Sequence, residues 1–123
     1  MHALRPGGVR IPRAFKDPRT KVAIKYRGYV VALLERLGPL PRSADPHLRA
    51  YGLLACEIEE LAGNIEAARK RRRVTVATRL GRRLVGLTEA LAREEERLQA
   101  LATSRPLTTA ERLAALPNVG EGS

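Results

Sequence analysis

The stretch ADPHLRAYGLLACEIEELAGNIEAARKRRRVTVATRLGRRLVGLTEALAREEERLQAL (residues 44–101) decides the fold. Asp45-Pro46 reads as a helix start, an N-cap carboxylate followed by proline at the first helical position. From there Tyr51, Leu54, Ile58, Leu61, Ile65 and Ala68 recur at alternating spacings of three and four, a heptad seam that predicts a helix over 46–71. A second seam, Leu80, Leu84, Leu87, Leu91, Glu94, Leu98 and Leu101, predicts a helix over 75–103, with Glu94 as its one polar member. Between them Val74, Thr75 and Val76 are β-branched, and Thr75 or Thr78 is placed to cap the second helix. A connection this short makes two long helices antiparallel neighbours. The stretch is a helical hairpin.

Upstream, TKVAIKYRGYVVALLERL (20–37) places Val22, Tyr26, Tyr29 or Val30, Leu33 and Leu37 on one face of a further helix, which Gly38-Pro39 stops. Gly28 weakens its middle by about 1 kcal/mol relative to Ala, so its first half reads as loose. GPLPRSAD (38–45) is a stiff linker, and residues 1–19, with Pro6, Gly7, Gly8, Pro12 and Pro18, read as a basic flexible arm. Downstream, Thr108 with Glu111 forms a capping box opening a short helix that Pro117 ends. The expectation is an all-α chain in three parts. They are the arm (1–19), a helical domain with its hairpin (20–103), and a short C-terminal helix with a tail (104–123).

The chain has 123 residues, the size of one domain, with 23 Lys and Arg against 13 Asp and Glu, a net charge of +10. A lone Cys excludes a disulfide framework and fits a reducing compartment. The first residues lack the apolar run of a secretory signal, and no window approaches the ~18 consecutive apolar residues that span a bilayer. The expected setting is the cytoplasm.

Charge is concentrated in two places. Residues 1–27 hold eight basic groups, among them Lys16, Arg19, Lys21, Lys25 and Arg27, against Asp17 alone. Residues 69–83 hold Arg69, Lys70, Arg71, Arg72, Arg73, Arg79, Arg82 and Arg83 with no acidic residue. Folded as a hairpin, the second group becomes an intensely basic tip, self-repelling alone and favourable beside an anion. Arg outnumbers Lys 19 to 4, and guanidinium forks suit phosphate. Only Phe15 and Tyr26 are aromatic in the basic segments, too few for stacking on single-stranded bases, so duplex DNA backbone is the expected partner.

Catalytic groupings are absent from the pattern. His2 lies in the arm, His47 has no carboxylate or Cys at a useful spacing along the chain, and Cys56 falls in an apolar helix. EIEE (57–60) and REEER (93–97) fit solvated helix faces better than metal sites, and the Gly7-Gly8 pair lies in no strand–helix context. The expectation is a non-enzymatic chain with no metal and no cofactor.

Two helices enclose little interior, and aromatic content is 3%. Leu53 and Ala62 on one helix and Val85 and Ala92 on the other are left needing a partner. One outcome is a thin three-helix bundle; the other, which we expect, is self-association through Leu54, Ile58, Leu61, Ile65, Leu84, Leu87, Leu91 and Leu98. Glu94 in the seam calls for an Arg, and Arg49 of the facing helix or of a neighbouring copy is the expected partner.

The order of elements resembles the small subunit of phage terminases. The resemblance runs through YVVALLERLGPL (29–40), ADPHLRAYGLLACEIEEL (44–61), RLGRRLVGLTEALAREEERLQAL (79–101) and LTTAERLAAL (107–116). The last is similar to that family's Leu-Thr-x-x-x-Arg-x-x-Leu ending, with Thr109 where the family usually has Pro, and no separate helix-turn-helix precedes the hairpin. The resemblance implies a ring-forming, non-enzymatic DNA-binding component of a viral packaging motor in the bacterial host cytoplasm. It would present duplex DNA to a large ATPase and nuclease subunit, with Leu107, Thr108, Arg112, Leu113 and Leu116 as the docking element. Other readings of the same pattern are a helical nucleic-acid-backbone binder of another kind, such as a chromatin-like or CRISPR-complex small subunit, and a protein-interaction adaptor.

Overall fold

The computed structural model describes residues 3–12, 20–104 and 113–114. The chain is all-α. Helix α1 spans Lys21–Leu37, α2 spans Asp45–Lys70 and α3 spans Val74–Ser104, with 3-10 turns at Pro6–Gly8 and Arg42–Ala44. The Thr20 hydroxyl accepts from the Ala23 N–H at 3.2 Å and starts α1. Gly38, at φ 82, stops it by donating its N–H to the Leu34 carbonyl, a backbone conformation that glycine adopts without Cβ strain. The helix runs unbroken through Gly28, so its first half is not loose.

Asp45 is not the N-cap of α2. The 3-10 turn at Arg42–Ala44 delivers the chain already wound, so Ala44 holds the cap position without a side-chain bond. The Asp45 carboxylate instead meets Arg49 one turn on at 3.3 Å. Nor do Thr75 and Thr78 cap α3. That helix opens at Val74, and the Thr78 hydroxyl donates back to the Val74 carbonyl at 2.9 Å.

Packing is unequal along the hairpin. Tyr26, Val30, Leu33 and Leu34 of α1 bury against Leu40, Ala44 and Leu48 and against Leu98 near the end of α3, with Tyr51 and Leu101 closing the margins. Helix α1 crosses α2 closely at Gly52, where a Cβ would fall on Tyr26 ring carbons and 2.7 Å from Val30 Cγ2. Farther out, among the described residues, the two hairpin helices lean on each other. Leu61, Ile65 and Ala68 of α2 are buried there, while Leu80, Leu84, Leu87 and Leu91 of α3 are half-buried.

The beginning of the chain departs from the flexible arm expected for 1–19. Leu4 and Leu40 form an antiparallel bridge, with N–H to carbonyl bonds of 2.7 and 3.2 Å, and Leu4 and Val9 pack against the core. Two apolar side chains and two backbone bonds hold residues 3–12 on the fold. The expected Thr108–Glu111 capping box lies outside the described residues. Among the described residues no helix is long and apolar enough to cross a membrane.

Candidate nucleic-acid interface

The α2–α3 turn is built by backbone hydrogen bonds that wrap the end of α2. The Arg73 N–H reaches the Ala68 carbonyl at 2.9 Å, and the Arg72 N–H reaches that of Arg69 at 3.0 Å. This double closure requires a left-handed residue just past the helix, a place where Gly is usual. Here it is Arg72, at φ 57. A Cβ in that conformation costs about 1–2 kcal/mol. The turn therefore carries a guanidinium where the backbone favours glycine.

Five basic side chains flank the turn, Arg69 to Arg73, and three more follow on the first turns of α3. Arg69, Lys70, Arg71, Arg72, Arg73, Arg79, Arg82 and Arg83 are all exposed. Arg83 is held by Glu57 at 2.7 Å; among the described residues the other seven form no ion pair. Arg69, Arg72 and Arg73 rim an open groove of about 590 Å³ whose floor is Val74, Ala77, Thr78 and Gly81. The positive end of the α3 dipole points into the same region and adds to the cationic field.

No family model, curated protein or solved structure matches this chain. Its function is therefore argued from the geometry.

The other basic residues named from sequence are placed differently. Helix α1 runs antiparallel to α2, and its first turns reach Glu59, ten residues and about 15 Å short of Arg69 along the helix. Lys25 is committed there, its Nζ 2.9 Å from Glu59 Oε1, so it is not a free cation for DNA. The Tyr29 hydroxyl donates to the other oxygen of Glu59 at 2.7 Å, and this bond pushes the phenol up to about 12. Lys25 and Tyr29 together hold the Glu59 carboxyl below its usual range. Lys21 and Arg27 are exposed and form no ion pair among the described residues. Lys16 and Arg19 lie outside those residues.

Glu94 finds partners other than Arg49. His47 Nδ1 lies 2.8 Å from Glu94 Oε2, and Arg97 Nη1 donates to Glu94 Oε1 at 2.9 Å. Arg49 is occupied by Asp45 on its own helix. Burial pushes the Cys56 thiol up, away from the reactive thiolate. Among the described residues no three His, Cys, Asp or Glu side chains gather as a metal site.

Of the eight residues assigned to self-association, Leu61, Ile65 and Leu98 are buried inside the single chain and offer nothing to a second copy. Leu54, Ile58, Leu84, Leu87 and Leu91 are half-buried. In the proposed docking element Leu113 is exposed, while Leu107, Thr108, Arg112 and Leu116 lie outside the described residues. Sequence reasoning missed the left-handed Arg72 and the His47–Glu94–Arg97 cluster. The first leaves no sequence signal, because Arg is rarely found there. The second depends on the register between two helices.

Proposed function

We propose that this protein is a non-enzymatic binder of duplex DNA backbone that acts through the tip of its helical hairpin. The observation that carries the reading is the run of five basic side chains at one turn, Arg69 to Arg73, with no carboxylate partner among the described residues. One of them, Arg72, is kept at a strained position. Like charges at this density oppose folding, and an array of phosphates offsets that repulsion. Guanidinium groups bond phosphate oxygens in pairs, and bound counterions released from DNA supply the affinity. The tyrosines sit on α1 and the first half of α2, away from the tip, which favours a duplex over stacked single strands.

Phosphate contact carries little sequence information, so the binding is expected to be tight at low salt and weakly selective. The biological setting we assign is that of the family the sequence resembles. There a terminase small subunit gathers viral DNA for the large subunit of the packaging motor, and the segment after residue 104 would dock to that subunit.

A salt titration of fluorescence anisotropy with a random-sequence duplex tests the DNA reading. Replacing Arg71, Arg72 and Arg73 with Ala should flatten the slope of log affinity against log salt by up to about 3, at about 0.9 per phosphate contact. An unchanged slope would overturn the assignment.

A further inference from the structure

Among the described residues, the side of α3 turned away from α2 has no partner. Val74 and Val85, 73% and 59% exposed, stand on one line with Thr78, Gly81 and Ala92, at intervals of three, four or seven residues. The Thr78 hydroxyl is spent on the Val74 carbonyl, which lowers the polarity of that line further. Glu89 and Glu96 lie on the same line and Arg82 stands beside it. None of the three forms an ion pair among the described residues.

We propose that this face is where two copies of the chain pair, antiparallel and related by a two-fold axis at Val85. Charge decides the orientation. In a parallel pairing Glu89 would face Glu89 and Arg82 would face Arg82. In the antiparallel pairing Val85 meets Val85 and Arg82 comes beside Glu89 of the second copy. This ion pair occurs twice, as two-fold symmetry requires. Gly81 presents no side chain and lets the backbones approach where Glu89 passes.

The pairing stands whether or not the tip binds DNA. Where the DNA reading also holds, it sets a spacing. Arg73 is twelve residues from Val85, so at about 1.5 Å per residue the two tips stand about 36 Å apart along the shared axis, close to one turn of B-form duplex. Arg79, Arg82 and Arg93 lie on the flank of α3 opposite Glu95, which binds Arg36 of α1. The two-fold axis brings that flank from both copies to one side of the pair. A pair of this kind closes on itself, unlike the ring that the resemblance implies.

The test uses the full chain without DNA, so its outcome is separate from that of the salt titration. Light scattering at micromolar to hundred-micromolar concentration should give twice the 13.5 kDa chain mass. Val85→Asp should give the monomer with helicity unchanged, since the position is exposed. In a Cys56→Ser background, Val85→Cys should cross-link to itself at least about tenfold faster than Ile24→Cys, because pairing raises the local concentration only at the two-fold axis. Ile24 is the fair control, being equally exposed at 59%. Glu89→Arg should weaken the pair, and adding Arg82→Glu should restore it. A monomer throughout, a ring-sized mass, or equal cross-linking at the two positions would overturn the proposal.

Discussion

His47 Nδ1 lies 2.8 Å from Glu94 Oε2, joining the first turn of α2 to α3 at the one seam position that is not apolar. The carboxylate lies along the helix between Leu91 and Leu98, and Arg97 covers its second oxygen. An ion pair in such a place is often no more stable than a well-packed apolar side chain. Both partners of the carboxylate are solvent-accessible, so they rehydrate when it is removed. Glu94→Leu should therefore be neutral or raise stability by up to about 2 kcal/mol. Glu94→Ala, which loses the bonds and fills nothing, should cost about 1–2 kcal/mol. Urea denaturation of the two variants separates them, and a lower midpoint for the Leu variant would show that the ion pair outweighs packing.

Arg72→Gly should move stability and binding in opposite directions. Removing the Cβ from a left-handed residue relieves about 1 kcal/mol of strain and should raise the melting temperature. The same change removes one cation, and the salt slope for duplex DNA should flatten by about 0.9. Thermal melting and the anisotropy titration read the two effects independently. A variant that is both less stable and unchanged in binding would contradict the role given to this turn.

Gly52→Ala should destabilise the domain. The added Cβ meets the Tyr26 ring and Val30 Cγ2 at 2.7 Å, on a face where both neighbours are buried. Overpacking costs about 1–3 kcal/mol, with this site near the top of the range, against a gain of ~1 kcal/mol in helix propensity. The net loss expected in chemical denaturation is about 2 kcal/mol. Gly63→Ala is the control: it lies on the same helix with nothing near its Cβ position, and should be neutral or stabilising.

Alkaline titration of the tyrosines by ultraviolet absorbance should start late. Hydrogen bonding to Glu59 pushes Tyr29 up to about 12, and burial pushes Tyr26 and Tyr51 up from their ordinary values. A phenol whose folded value is raised contributes its stability in full below its ordinary value of about 10 and loses it as pH climbs toward 12. Glu59→Gln removes the charge and should return one tyrosine toward the ordinary value, leaving two shifted. Three tyrosines titrating together in both proteins would refute the contact.

The hairpin was legible because its seams are long. Leu61, Ile65 and Leu98 fall at heptad spacing and are buried, and Gly38 ends α1 where a glycine–proline pair says it should. What failed were features without periodicity. The Leu4–Leu40 bridge involves a single residue on each side, so no pattern announces it. The start of α2 was misread because a turn wound at Arg42–Ala44 looks like linker in a Pro-rich stretch. The basic tip was legible by composition alone, whereas its left-handed Arg72 and the loss of Lys25 and Arg83 to glutamates depend on three-dimensional register.

The apolar core gathers where α1 covers the hairpin and thins toward the turn. Local opening follows buried contact, so amide hydrogen exchange should be graded along both long helices. Amides near Leu48 and Leu98 should exchange only through global unfolding, and those near Ala68 and Ala77 through fraying that leaves the base intact. The end that we assign to DNA is thus the end whose shape is cheapest to change, and a duplex laid against it would slow exchange there first.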